Sequence, residues 1–186
     1  GVQTCALPIY WYKFINVSNY NTRPIKYLEI GTFYGANAIS VHYTYASHPL
    51  SKLDCIDAWT FYPEYPEVTQ VQQDQIYADY QINLISAGCI NKTRTFRGFS
   101  VNVLPTLMDT TYDIIYVDGN SLPTFMIEDI ILSYRKLVSG GILVVNNYDV
   151  KAESDSQRAI DGFIHVYKGN ITILGVQYSQ IFIRKN

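Results

Sequence analysis

Short apolar runs alternate along this chain with stretches of helical periodicity. Tyr27 to Ile30 (YLEI), Lys52 to Ile56 (KLDCI), Arg94 to Arg97, Tyr112 to Val117 (YDIIYV) and Ile142 to Val145 (ILVV) have the length and residue types of strands. Between them, Ala36 to Ala46, Val68 to Ser86, Val101 to Met108 and Pro123 to Leu137 read as helices, and Ser156 to Tyr167 follows the fifth strand as another. In the longest helix Ile76, Tyr80, Leu84 and Ala87 recur at spacings of three and four, and Gly88 closes it. Pro105 shortens or kinks the fourth-strand-proximal helix, whereas Pro123 suits a first helical turn. Ser139-Gly140-Gly141 reads as a turn, and Pro63 and Pro66 mark a loop. Ile171 to Gln177 and Gln180 to Arg184 stand two residues apart, which predicts an antiparallel hairpin. The whole pattern predicts an α/β fold: a Rossmann-like doubly wound sheet of seven strands, mostly parallel, closed by that hairpin. Gly1 to Ile9 reads as a non-native leader, leaving residues 10–186 as one domain.

The strand ends carry the candidate chemistry. Gly31, Asp57, Gly98, Asp118 and Asn146 each follow a strand, and ligands of open parallel sheets bind at that edge. Glu29 to Gly35 reads E-x-G-x-x-x-G. Gly31 takes the turn off the strand, and Gly35 lets the next helix pack closely. The dinucleotide fingerprint G-x-G-x-x-G is not met, because Phe33 stands where its second glycine would be. Asp57 is placed to accept ribose hydroxyls, with a helix cap or a loop acid as the alternative. Trp59 either covers an adenine or packs in the core.

Composition narrows the partners. With 48% hydrophobic and 16% charged residues the chain is not intrinsically disordered. At 186 residues a fold of this kind buries roughly 70% of its unfolded surface and needs neither disulfide nor metal to hold a core. A net charge of −2 argues against general nucleic-acid binding, though not against a local basic patch. No apolar run approaches the roughly 18 residues of a membrane-spanning helix. Three cysteines, Cys5, Cys55 and Cys89, without a CxxC spacing, suit a reducing, intracellular compartment.

On these residues the chain resembles the class I S-adenosylmethionine-dependent methyltransferases. Glu29, Gly31 and Gly35 match the first motif, and Asp57 matches the acid after the second strand. The closest resemblance is to the small-molecule O-methyltransferase-like group of sugar and macrolide enzymes, with the caffeoyl-CoA and catechol enzymes further off. Proteins of this kind occur in bacteria and large DNA viruses. The group's signature is a fourth strand ending I-D-G-x-H, a P-G-G turn and a fifth strand ending D-D-Y. This chain has Tyr112 to Ser121 (YDIIYVDGNS), then Glu128-Asp129, Ser139-Gly140-Gly141 and Asn146-Asn147-Tyr148. The match runs from about Lys26 to Lys185.

The resemblance implies an S-adenosylmethionine site lined by Glu29, Gly31, Phe33, Gly35, Asp57, Trp59, Gly98, Phe99, Ser100 and Asp118. Phe99 replaces the acid with which the family reads adenine, so stacking or backbone amides would serve there. Asp118 would stand beside the methyl group and act as the catalytic base. In metal-using relatives the places of Asp118, Asn146 and Asn147 bind a divalent cation. Two amides in place of carboxylates leave a degraded site. Ser121 replaces the group's histidine. His42, His48 and His165 read as surface residues, and Tyr148 orients an acceptor or packs.

Three readings follow. The first is an S-adenosylmethionine-dependent O-methyltransferase acting on a small hydroxylated molecule such as a sugar. The second, supported by the missing histidine and late carboxylates, is a methyltransferase fold that binds cofactor or partner without turnover. The third, an NAD-dependent dehydrogenase, is disfavoured by Phe33 and by the closing hairpin. The loop from Trp59 to Gln70, with Phe61, Tyr62 and Tyr65, is a candidate lid over the acceptor.

Overall fold

The computed structural model describes residues 8–62, 66–148 and 154–186. The leader read over Gly1 to Ile9 lies mostly outside these residues, as does Tyr65 of the candidate lid. A 3-10 turn over Pro8–Lys13 and a short helix α1 (Ser18–Asn21) lead into strand β1 (Lys26–Ile30). Then come α2 (Ala36–Tyr43), β2 (Lys52–Asp57), α3 (Gln70–Ser86), β3 (Thr93–Arg97), α4 (Ser100–Val103) and β4 (Tyr112–Val117). Helix α5 (Pro123–Lys136), β5 (Leu137–Val145), α6 (Asp155–Tyr167), β6 (Ile171–Gln177) and β7 (Gln180–Lys185) complete the chain.

The sheet order is β3-β2-β1-β4-β5-β7-β6. The first five strands run parallel, β7 pairs antiparallel with β5, and β6 pairs antiparallel with β7. This is the Rossmann-like sheet with an antiparallel end that the alternation of runs predicts. The order reverses between β1 and β4, so the crevice beyond their carboxyl ends is the favoured ligand position.

Alternation along the strands sends side chains to two cores. Tyr27, Leu53, Cys55, Ile114 and Tyr116 face one layer with α2 and α3, and Leu28, Ile30, Ile56, Ile115 and Val117 face another with α5 and α6. Ile76, Tyr80 and Leu84 form the buried stripe of α3, as their spacing predicts. A capping box starts that helix: the Thr69 hydroxyl accepts from the Gln72 amide, and the Gln72 side chain accepts from the Thr69 amide.

Pro105 shortens the helix read over 101–108, as expected: α4 is followed by a 3-10 turn over Leu104–Thr106, because Pro105 has no N–H to continue the α ladder. One local expectation is corrected. Ser139-Gly140-Gly141 is not a separate turn but an irregularity inside β5. Pairing jumps from Tyr112↔Leu137 to Ile114↔Ile142, and Gly140 has φ +78°. At the hairpin turn Tyr178 and Ser179 both adopt left-handed backbone (φ 50° and 55°), whose twist suits the two strands.

The segment before β1 is built into the core. Trp11 is fully buried against Tyr45, Tyr116 and Phe182, and its indole N–H donates to Gln180 Oε1 at 3.0 Å.

Candidate active site

The carboxyl ends of the parallel strands are tied into one row by backbone hydrogen bonds that continue past the strands. Gly98 N donates to Asp57 O, Gly31 N to Ile56 O, Asp118 N to Ile30 O and Asn146 N to Val117 O, all at 2.8–2.9 Å. The five residues singled out at successive strand ends therefore stand side by side.

The turn after β1 needs its glycines for different reasons. Gly31 has φ +82°, and a Cβ there would lie 2.0 Å from the Asp118 carbonyl oxygen. It lets the β1 turn touch the end of β4. Gly35, at φ +83°, caps α2, and a Cβ there would come 2.9 Å from the Tyr80 ring, so it sets the approach of α3. Between them Phe33 also has positive φ and exposes nearly half of its surface beside the exposed Tyr34.

Asp57 braces this turn. Its Oδ2 accepts from the Phe33 amide at 2.8 Å and its Oδ1 from the Trp59 amide at 2.9 Å. Burial raises its pKa above the usual carboxylate value, and those amides oppose the shift. Trp59 corrects an expectation: it is fully buried, packed on Tyr77 and Tyr80, and its indole N–H donates to the Phe33 carbonyl at 3.1 Å. No face of the ring is open to an adenine. Trp59 belongs to the core, where it fixes the turn.

Glu29 is 1% exposed and accepts the Tyr27 hydroxyl at 2.6 Å. Burial pushes its pKa up to about 8, and the charges of Asp118 and Asp57 add to that. Three acids thus converge on one end of the sheet, and neither Glu29 nor Asp57 has an ion-pair partner among the described residues. Both amide atoms of Asn37, a residue 3% exposed, have no hydrogen-bond partner among the described residues, and the buried Thr32 side chain stands against Glu29. A cationic ligand with hydrogen-bonding groups would satisfy what this corner leaves unpaired. Asn37 and Thr32 were not foreseen; only their position beside the glycine turn could have drawn attention to them.

After β3, Gly98, Phe99 and Ser100 lie beside the end of β2. Phe99 is 48% exposed, not packed in the core, and meets Tyr62 edge to face at 6.0 Å. Asp129 on α5, which the sequence left without a role, is 3% exposed, with its carboxylate against Gly119. Burial raises its pKa to about 6, with a hydrogen bond from Ser100 opposing the shift.

Asp118 at the end of β4 accepts from Asn146 Nδ2 at 2.6 Å and from the Tyr116 hydroxyl at 3.1 Å. Tyr116 in turn accepts from Gln180 Nε2 at 3.1 Å. The trio Asp118, Asn146 and Asn147 does not suit a divalent cation. Asn146 turns a donor, not an oxygen, toward the carboxylate, and hard cations take oxygen ligands. The Asn147 amide nitrogen is buried without a partner among the described residues, in a residue at φ +63°. Among the described residues no group of three or more His, Cys, Asp or Glu is arranged to hold a metal. Ser121 is bound through its carbonyl by the Ser156 hydroxyl. Tyr148 donates to Asp161 of α6 at 2.9 Å and thus packs against that helix. His48 sits just before β2, at the opposite end of the sheet.

Sheet order, glycine turn and acidic strand ends define a Rossmann-like domain of the methyltransferase type. The chain belongs to the methyltransferase domain family, whose model matches residues 28–148. No curated protein matches it. Among solved structures it is similar to cofactor-bound Rv0187 from MTB, with 16% identity over 98% of this chain and 82% of that one and a TM-score of 0.69. It is also similar to the O-methyltransferase TomG from Streptomyces achromogenes in complex with SAM, at 20% identity, 86% and 72% coverage and a TM-score of 0.65. A third likeness is to the SAH-bound methyltransferase PaMTH1 of Podospora anserina, at 17% identity, 95% and 76% coverage and a TM-score of 0.62. At these identities the structures share the fold. No helix among the described residues is long and apolar enough to cross a membrane.

Proposed function

We propose that this methyltransferase binds S-adenosylmethionine at the carboxyl edge of β1, β2 and β4 and methylates a hydroxyl oxygen of a small molecule. The observation that carries the reading is the convergence of Glu29, Asp57 and Asp118 around the Gly31 turn. S-adenosylmethionine brings a sulfonium and an ammonium, and this acidic corner complements both. The cofactor supplies a methyl group already activated on sulfur. Glu29, with Thr32 and Asn37 beside it, would hold the charged end, and a nearby cation favours its ionised form. The remaining lone pairs of Asp57 would take the ribose hydroxyls. Gly98, Phe99 and Ser100 would hold the adenine, with the exposed Phe99 ring as a stacking surface.

Asp118 is the residue placed to accept the proton of an acceptor hydroxyl. Asn146 and Tyr116 fix its carboxylate, which spares the cost of orienting it at the moment of reaction. The Asn146 amide donates to the Asp118 carboxylate, and a neutral amide is a weak ligand for a hard cation, which supports a proton transfer that needs no metal. The likeness of the fold to the O-methyltransferase TomG supports oxygen as the atom methylated.

The test is transfer of tritiated methyl from S-adenosylmethionine into an extract of hydroxylated metabolites, in EDTA. The expected result is label incorporation by the wild type and at least a hundredfold loss in Asp118→Ala. Activity lost in EDTA and restored by magnesium would contradict the metal-free site. No incorporation by a folded wild type, with or without magnesium, would favour a binding protein without turnover, the reading that Asn146, Asn147 and Ser121 support.

A further inference from the structure

A recess lies at the amino edge of the sheet, opposite the acidic corner, about 380 Å³ in volume. At roughly 3.3 Å per residue, the length of β1 separates it from the acidic corner by on the order of 15 Å. Lys26 and Lys52 begin β1 and β2 and are register partners, so both side chains leave the sheet on the same face. Arg94 of β3 and Lys92 before it complete the basic lining, over Leu53, Leu107, Met108 and Tyr112.

Asp54 is the recess's one carboxylate, and its capacity is taken up. Oδ1 accepts from Arg94 Nε at 3.0 Å; Oδ2 accepts from the other end of the guanidinium at 2.6 Å and from the Tyr112 hydroxyl. The nearby Asp113 is paired with Arg23 and accepts the Lys26 backbone amide. Lys92 Nζ donates to the carbonyls of Ala46 and His48 at 2.8 and 2.9 Å, which position the ammonium without neutralising it. Burial lowers the Lys92 pKa; Cys89 opposes the shift and the charge of Lys52 adds to it. The side chains of Lys26 and Lys52 make no ion pair or hydrogen bond among the described residues. Like charges set directly across neighbouring strands repel. A chain with net charge −2 thus carries three uncompensated ammonium groups around one concavity.

We propose that this recess is a phosphate-binding site, taking a phosphate dianion, free or as the head of a small organic phosphate, independently of methyl transfer. Lysine ammoniums serve phosphate as mobile point charges with several donors each. Arg94, locked on Asp54, is part of the lining, as is the exposed Met108.

The test is titration of the isotopically labelled full chain with inorganic phosphate at fixed ionic strength, followed through its backbone amide resonances. The expected result is saturable 1:1 binding, with shifts centred on Lys26, Lys52, Leu53 and Met108. In Lys26→Gln/Lys52→Gln affinity should fall at least tenfold, while Arg158→Gln on α6 should leave it unchanged. Linear, unsaturating shifts, shifts centred elsewhere, or equal affinity in the double variant would overturn the proposal. Both lysines are exposed and outside the core, and the shift map of the wild type decides the matter even without the variants.

Discussion

Glu29 is the residue whose chemistry departs furthest from its ordinary behaviour. A carboxyl with a pKa of about 8 in the fold, against the usual 4.5 of a free glutamate, retains its proton near neutral pH. The unfolded chain releases that proton first, so Glu29's contribution to stability is full below about pH 4.5, falls as pH rises and is lost above about pH 8. Ionising it within the unliganded fold costs on the order of 4–5 kcal/mol. Glu29→Gln removes this dependence. Chemical unfolding at pH 6 and pH 9 should show the wild type losing about 2–3 kcal/mol more than the variant over that interval. Equal losses would mean that Glu29 is already ionised at pH 6. Asp57 has two duties at once. The sequence suggests a ligand for ribose; the structure adds that its oxygens hold the amides of Phe33 and Trp59. Asp57→Ala should therefore also lower stability by about 1–3 kcal/mol, read from the same unfolding curves.

At the scale of elements, the β1 turn and the end of α3 use left-handed glycines under different constraints. Gly31→Ala would drive a Cβ into the Asp118 backbone, whereas Gly88, at φ +70°, has nothing within 4 Å of that position. Gly88→Ala should cost about 1–2 kcal/mol, the strain of a left-handed alanine. Gly31→Ala should cost well over 3 kcal/mol or prevent folding, because the neighbour is backbone and cannot rotate away. Thermal unfolding of the two variants separates them; similar melting temperatures would show that the β1 turn and β4 are not in contact. The elements themselves were largely legible in the sequence, since burial on two faces writes strands as apolar runs, and α3 as a three-four stripe ending in glycine. Gly31 and Asp57 could be found from their place after strands. Trp59 could not be resolved between pocket and core, because an aromatic beside a strand end suits both. The orphaned Asn37, the buried Asp129 and the recess around Lys52 depend on contacts between residues far apart in the chain. No local pattern marks them.

At the scale of the molecule, the ends of the chain reach the proposed active site through side chains. Trp11 binds Gln180, Gln180 binds Tyr116, and Tyr116 binds Asp118, linking the amino-terminal segment and the closing hairpin to the end of β4. The two edges of the sheet carry opposite charge: acids around Gly31, lysines around Asp54. The proposed ligand of the first edge is a cationic nucleoside. Calorimetric titration of S-adenosylhomocysteine, which retains the ammonium and the ribose, tests this most directly. The expected result is 1:1 binding to the wild type, stronger than that of NAD, and a ten- to hundredfold weaker affinity in Asp57→Ala, equivalent to about 1.5–3 kcal/mol. A folded wild type that releases no heat with S-adenosylhomocysteine, or a folded Asp57→Ala that binds it unchanged, would contradict it.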